Sequence, residues 1–237
     1  MSEPAVSVVM AVKNGERYLA QALDSIAAQT FTDYEVVIVD GGSTDASLRI
    51  AGSYAKVRTI QQQGTGFMGA WNEGIAVSRA PYIALLDSDD YWVADKLATQ
   101  MDYVRAHPGT DCVIGHVRFF LEPGVTAPPR GFKPSLLEGS HVGYIPGTSL
   151  IRRDVFDRLG PFEERWTITS DLVWFARLRE VGMQIGVLDR ILLHKRVHGG
   201  NLTYTTPKPT YQNELTRLLK ESLDRRRGSA PPRPGGD

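Results

Sequence analysis

Short β-branched runs alternate with helically spaced apolar positions through the N-terminal half of the chain. Residues 7–12 (SVVMAV) make the near-continuous apolar run expected of a strand covered on both faces, and Lys13, Asn14 and Gly15 interrupt it. Leu19, Ala22, Leu23 and Ile26 then fall on one face at helical spacing. Residues 35–39 (EVVIV) predict a second buried strand ending at Asp40, after which Gly41 and Gly42 turn the chain. Ser43-Thr44-Asp45 offers N-cap side chains to a helix over 47–54. A weaker strand over 57–61, a helix over 66–78, a buried strand over 82–86 (YIALL) and a helix over 95–107, stopped by Pro108, continue the alternation. This order predicts an α/β fold with a mainly parallel central sheet flanked by helices.

The second half reads differently. Residues 112–121 (CVIGHVRFFL) predict a long strand, and residues 122–135, with four prolines and two glycines, predict a loop. Loops of that length are more often functional or mobile than inert. A short helix over 153–159 stops at Gly160-Pro161, and a helix over 171–181, ended by Gly182, places Leu172, Phe175, Ala176 and Leu178 on its buried face. Residues 185–188 and 191–197 are strand-like, residues 212–226 are an amphipathic helix, and residues 227–237 have the composition of a disordered tail. The expected division is 1–110, 111–205 as a smaller mixed region, a C-terminal helix over 206–226, and the tail.

Composition narrows the function. With 27 Lys plus Arg against 27 Asp plus Glu, the net charge is zero, and the basic excess of a non-specific nucleic-acid binder is missing. The single cysteine, Cys112, forms no internal disulfide and fits a reducing compartment, so a cytoplasmic location is expected. No apolar run approaches the roughly 18 residues of a spanning helix. The start, MSEPAVSVVM, reads as a first strand and not as a signal peptide. The C-terminal helix is left free to pack on the core, to form a homodimer or to touch a membrane. Its Arg225-Arg226-Arg227 permits peripheral contact with anionic lipid, although a solvated helix end is the simpler account.

In parallel α/β sheets, ligands bind at the carboxyl ends of the strands. Three such ends carry polar residues: Lys13-Asn14, Asp40, and Asp87-Ser88-Asp89-Asp90. One Asp there is commonly a cap or turn former, but three ends on one edge point to a site. The carboxylates of Asp87, Asp89 and Asp90 repel one another, and a bound Mg²⁺ or Mn²⁺ would relieve that repulsion and neutralise a diphosphate. A solvated acidic turn capping the next helix is the alternative. His198, in Val197-His198-Gly199-Gly200-Asn201, has the freedom to swing toward a metal, although a lone His of this kind is more often a surface-turn residue. Asp171, after Thr169-Ser170 at a helix start, is either a charge on the helix dipole or a general base held ionised there.

A competing pattern is Gly64-Thr65-Gly66-Phe67-Met68-Gly69, a literal G-x-G-x-x-G with Asp87 lying 18 residues beyond it. It would make the chain a dinucleotide-dependent oxidoreductase. Against it, Gln61-Gln62-Gln63 stands where an apolar strand should feed the loop, and Asp87 sits in acidic company.

Taken as an ordered set, the motifs resemble the family 2 glycosyltransferases with the GT-A nucleotide-diphospho-sugar transferase fold. The matching pieces are Ser7-Val8-Val9-Met10-Ala11-Val12-Lys13-Asn14, Leu23-Asp24-Ser25-Ile26, Val39-Asp40-Gly41-Gly42-Ser43-Thr44-Asp45, Ala70-Trp71-Asn72-Glu73-Gly74-Ile75 and Leu85-Leu86-Asp87-Ser88-Asp89-Asp90. Pro146-Gly147-Thr148, Ser170-Asp171 and His198-Gly199-Gly200-Asn201 continue the likeness into the second half. The resemblance implies a donor-binding half over 1–110 and an acceptor-binding, catalytic-base half over 111–205. It implies that Val12 and Asn14 border the nucleotide base and that Asp40 accepts from it, usually from uracil. Asn72, Asp87 and Ser88 join the nucleotide-sugar set, with Asp87 on ribose or sugar. Asp89 would hold Mn²⁺ or Mg²⁺, His198 would approach the same metal or the diphosphate, and Asp171 would be the catalytic base.

The chain departs from the family pattern at Gly41, where many members carry a second Asp, at Ser170, where many carry Glu, and at Ala11 and Lys13, where Pro or Tyr is common. The implied reaction is metal-dependent, inverting transfer from a nucleotide-diphosphate sugar, with UDP favoured by analogy, to a hydroxyl of a glycan, lipid-linked sugar, natural product or peptide. Residues 122–145 would line or cover the acceptor site. A nucleotide-sugar binding module with little turnover and a nucleotidyl transferase on the same fold are the alternatives; the presence of Asp171 favours the glycosyltransferase.

Overall fold

The computed structural model describes residues 3–166 and 169–228. The first half alternates strictly: β1 (Val6–Val12), α1 (Leu19–Ala27), β2 (Tyr34–Asp40), α2 (Ser47–Ala51), β3 (Val57–Gln61), α3 (Phe67–Val77) and β4 (Tyr82–Leu85). There follow β5 (Tyr91–Trp92), α4 (Lys96–Ala106), β6 (Cys112–Leu121), β7 (His141–Val142), β8 (Leu150–Arg152), α5 (Asp154–Leu159), α6 (Ser170–Glu180), β9 (Ile185–Val197), α7 (Leu202–Thr205) and α8 (Lys208–Gly228).

One sheet runs through the molecule in the order β3-β2-β1-β4-β8-β6-β9-β5, with β7 attached to β6. The four strands from β3 to β4 are parallel. Strand β8 is antiparallel to both β4 and β6, β9 runs parallel to β6, and β5 is antiparallel to β9. The parallel half and the smaller mixed region are therefore arranged as the α/β pattern predicts.

Every residue of β1 and β2 is buried, because alternate side chains serve two cores. Val6, Val8, Met10 and Val12 pack with Leu19, Leu23 and Ile26 of α1 and Leu97 of α4. Val9, Ala11, Val37 and Val39 face Trp71 and Ile75 of α3 and Trp174 and Phe175 of α6. Helix α3 lies so close to the sheet that a Cβ on Gly74 would stand 2.4 Å from Val9 Cγ1.

The differences from the sequence expectations have local causes. The buried face of α6 is offset: Leu172 is 39% exposed, while Val173 and Trp174 are buried. The Trp174 ring decides this, filling the space beside Phe156 and Phe162 at 5.3 and 5.2 Å. The two strand-like runs after Gly182 form one strand, β9, which absorbs residues 189 and 190 through register shifts against β6. Helix α2 ends at Ala51, and the C-terminal helix starts at Lys208 and includes residues 227 and 228. The rest of the expected disordered tail, 229–237, lies outside the described residues, as do the side chains of Arg225, Arg226 and Arg227.

Helix α8 packs on the core: Glu214 Oε2 accepts from Thr169 Oγ1 at 2.8 Å, Arg165 pairs with Glu221 at 2.9 Å, and Arg217 lies 5.1 Å over the Trp166 ring. Its contact with Thr169 falls beside Asp171, at the start of α6. Among the described residues, no helix is long and apolar enough to cross a membrane.

Candidate active site

The carboxyl ends of β1 and β4 and the end of β9 open on one cleft of about 760 Å³. Of the residues singled out from the sequence, Asn14, Asp87, Ser88, Asp89, Asp171 and His198 line it. Val12, Asp40 and Asn72 do not.

Asp40 is 2% exposed, and its carboxylate accepts from the backbone N–H groups of Gly42 at 3.1 Å and Ser43 at 3.2 Å. It thereby holds the tight turn in which Gly42 adopts a φ of 81°. Asn14 adopts a left-handed φ of 52°, which Asn tolerates better than most residues. Its Oδ1 accepts from the Thr44 N–H at 2.8 Å, locking the loop after β1 to the loop after β2. The Asn72 side chain spans to the segment before α6: Oδ1 accepts from the Phe162 N–H at 3.0 Å, and Nδ2 donates to the Phe162 carbonyl at 2.9 Å.

Ligand oxygens of Asp87, Asp89 and Asp90 lie within 4.8 Å of one another. Each carboxylate has its own partners. Asp89 Oδ2 is 3.0 Å from His198 Nε2 and accepts from Asn201 Nδ2 at 3.0 Å. Asn201 Oδ1 in turn accepts from the His198 N–H at 2.7 Å, so the 198–201 turn folds on itself and docks on Asp89. Burial opposes ionisation of Asp89, but the His198 hydrogen bond and the Lys195 charge outweigh it and hold the carboxyl below its usual range.

Asp90 is 1% exposed and is pushed upward by burial, against the opposing Lys195 ammonium at 2.7 Å. Burial likewise disfavours the charge on Lys195, but Asp90, Asp87 and Asp89 together keep it protonated. Asp87 Oδ2 accepts from Lys195 at 3.0 Å, whereas Asp87 Oδ1 is buried and has no hydrogen-bond partner among the described residues. Trp71 Nε1 is in the same condition, on a side chain that lines the same cleft. A set of clustered carboxylate oxygens with one buried and unpaired suits a hard divalent cation or a hydroxyl-rich ligand.

Asp171 stands in the first turn of α6, and its Oδ1 accepts from the Leu172 N–H at 2.8 Å. Burial pushes its carboxyl up to about 6, with Asp87 adding and the Leu172 N–H and Lys195 opposing. Burial outweighs the pull of the helix N-terminus, yet a group near 6 is still mostly ionised at neutral pH.

Lys195 and Arg196 were not found from the sequence, and Asn201 was marked there only as part of the His198-Gly199-Gly200-Asn201 turn, with no role. Arg196 is 5% exposed, lies 4.6 Å over the Tyr18 ring, and gives its backbone N–H to Asp90 Oδ1 at 2.8 Å. Tyr18 donates to Glu122 Oε1 at 2.6 Å, and burial and that contact push its hydroxyl up to about 12. Two adjacent cations shortly after the apolar run Ile191-Leu192-Leu193 of β9 were the available signal.

The glycine pattern has a different use. The backbone N–H groups of Gly64 and Gln63 donate to the Glu73 carboxylate at 2.7 and 2.9 Å. Two amides at the start of that loop are therefore taken by a side chain of α3.

Comparison with known proteins agrees with this geometry. Residues 7–160 match the model of the glycosyl transferase family 2. An uncharacterized glycosyltransferase of Rickettsia typhi is 27% identical over 95% of this chain and 76% of its own length. EpsH of Bacillus subtilis, which carries a glycosyltransferase name, is 30% identical over 91% of this chain and 67% of its own. A crystal structure of S. aureus TarS 1-349 in complex with UDP-GlcNAc shares the fold, with a TM-score of 0.73 at 22% identity, over 90% of this chain and 65% of that one. A parallel sheet whose strand ends meet at an acidic cleft, and a family match across most of the chain, place it: this protein belongs to glycosyl transferase family 2 and is a glycosyltransferase.

Proposed function

We propose that the chain transfers a sugar from a nucleoside-diphosphate donor, with a UDP-sugar favoured, to an acceptor hydroxyl, with inversion at the anomeric carbon. The observation that carries this reading is that Asp89, with its His198 partner, and Asp171 line the same cleft. TarS, similar in fold, has a structure in complex with UDP-GlcNAc, which supports a nucleotide-sugar donor here.

Asp171 accepts the proton of the acceptor hydroxyl as its oxygen attacks the anomeric carbon. The bond from that carbon to the diphosphate breaks on the opposite face, and inversion follows. Asp87 offers its unpaired Oδ1 to a hydroxyl of the donor. Asn14 and Ser88 border the donor at the cleft wall, while Val12, Asp40 and Asn72 support that wall from behind. Asp89, with His198 beside it, would hold Mn²⁺ or Mg²⁺, whose chemistry is to neutralise the departing diphosphate. Residues 1–110 form the donor half, and residues 111–205 the half that takes the acceptor and carries the base.

The test is calorimetric titration of UDP, GDP and dTDP with and without Mn²⁺ into wild type and Asp89→Ala. Metal-dependent binding of one nucleotide, lost in Asp89→Ala, is the expected result. Binding of none under any metal condition would overturn the donor assignment. Donor binding by an enzyme that gives no transfer to any hydroxyl acceptor, and is unchanged in Asp171→Asn, would leave a binding module.

A further inference from the structure

Lys195 sits two residues before the end of β9, between His194 and Arg196 and just after the apolar run Ile191-Leu192-Leu193. Its Nζ is 2.7 Å from Asp90 Oδ2 and 3.0 Å from Asp87 Oδ2, and it lines the cleft with Asp171 and His198. Asp90 is fully engaged: one oxygen meets this ammonium, and the other takes the backbone N–H of Arg196 at 2.8 Å. Asp87 keeps one buried oxygen without a hydrogen-bond partner among the described residues. Asp89 answers instead to His198 and Asn201, both at 3.0 Å.

The cluster is therefore split. Asp87 and Asp90 surround a fixed ammonium, and Asp89 faces an imidazole and an amide. A compact point charge such as a lysine ammonium occupies much the same place as a bound cation. A divalent ion entering between Asp87 and Asp90 would meet that charge at contact range, where water screens it poorly.

We propose that Lys195 is a resident counter-cation that occupies the Asp87–Asp90 side of the cluster and so directs a divalent ion to Asp89. The inference rests on the donor-binding function proposed for this cleft and gives Lys195 a positioning role within it. The ammonium lets three carboxylates keep their arrangement before any donor arrives. It also ties Asp87 through Oδ2, leaving Oδ1 as the acceptor for a donor hydroxyl.

The experiment is Mn²⁺ titration without nucleotide, read by calorimetry and by the electron paramagnetic resonance of free Mn²⁺. Wild type, Lys195→Gln, Lys195→Arg and Asp90→Asn are compared, each first shown to be folded by circular dichroism and thermal unfolding. Removing the resident charge opens the second compartment, so Lys195→Gln binds Mn²⁺ at least about tenfold more tightly than wild type. Adding Asp89→Ala to Lys195→Gln no longer abolishes Mn²⁺ binding, because Asp87 and Asp90 now serve. Lys195→Arg, which keeps the charge, stays within about threefold of wild type.

A merely structural lysine would give weaker or unchanged Mn²⁺ affinity in Lys195→Gln, and that result overturns the proposal. If Lys195→Gln does not fold, Asp90→Asn decides: it leaves the ammonium with one counter-charge fewer, and Mn²⁺ affinity falls at least about threefold. Unchanged affinity there also overturns it. A parallel UDP titration with Mn²⁺ separates the two claims. Wild type that binds no UDP refutes the donor function, whereas UDP binding with an unmoved Mn²⁺ affinity refutes only the role of Lys195.

Discussion

His198 Nε2 lies 3.0 Å from Asp89 Oδ2, joining residues 109 positions apart across the mouth of the cleft. The contact links the loop between β4 and β5 to the turn after β9, just beyond the antiparallel β5–β9 pairing of Tyr91 with His194. Partners that orient a metal-ligating carboxylate typically contribute tenfold to a hundredfold in affinity. His198→Ala is accordingly expected to weaken Mn²⁺-dependent UDP binding by about 10–100-fold, with Asn201 left as the remaining side-chain partner. Calorimetry measures it; a Kd within twofold of wild type would show that the turn is held for some other reason.

The pH dependence should report Asp171. Its carboxyl is raised to about 6 by burial, with Asp87 reinforcing the shift. A general base works when deprotonated, so kcat/KM rises with pH and levels off above about 6, falling about tenfold per pH unit below it. Asp171→Asn removes that limb and lowers kcat by about 10²–10⁴-fold. Stability carries the opposite sign. A carboxyl raised in the folded state favours folding at low pH, and that contribution is lost as pH rises through the interval from its ordinary value to about 6. An activity profile flat from pH 5 to 8 would remove Asp171 from the proton-transfer step.

Gly74 measures how closely α3 must approach the sheet. A Cβ there would stand 2.4 Å from Val9 Cγ1 and 3.0 Å from Val39 Cγ2, both on fully buried strands. Gly74→Ala should therefore cost about 1–3 kcal/mol by overpacking, despite the better helix propensity of Ala. Urea unfolding monitored by tryptophan fluorescence gives the number. A gain in stability would mean that α3 can shift away without cost.

The N-terminal half was legible because its strands are buried on both faces, so β1 and β2 appear as continuous apolar runs and their polar ends stand out. Asn14 and Asp87 were marked by their place at strand ends, Asp87 also by its acidic neighbours. Strands β5, β7 and β8 have two or three residues each and leave no periodicity to read. Lys195 and Arg196 stand out only as adjacent cations in β9; their meaning comes from where β9 ends relative to Asp87–Asp90, which the topology decides and the local pattern does not. Leu172 against Val173 shows the limit of helical spacing when one large ring, Trp174, sets the rotation. At the G-x-G-x-x-G match, Glu73, only nine residues on from Gly64, takes the amides of Gln63 and Gly64.

Asn72 separates a structural from a ligand-binding role. Its amide closes a two-way bridge to the backbone of Phe162, at 3.0 and 2.9 Å, tying α3 to the segment that leads to α6. Phe162 is 1% exposed and packs on Trp71 and Trp174, so the bridge fixes a buried joint. Asn72→Ala leaves a buried backbone N–H and a carbonyl without their partner, at a cost of about 1–3 kcal/mol. Because Asn72 does not line the cleft, the UDP Kd should stay within about twofold of wild type, while kcat falls as the start of α6 and Asp171 loosen. Loss of UDP affinity at unchanged thermal stability would instead put the Asn72 amide on the donor.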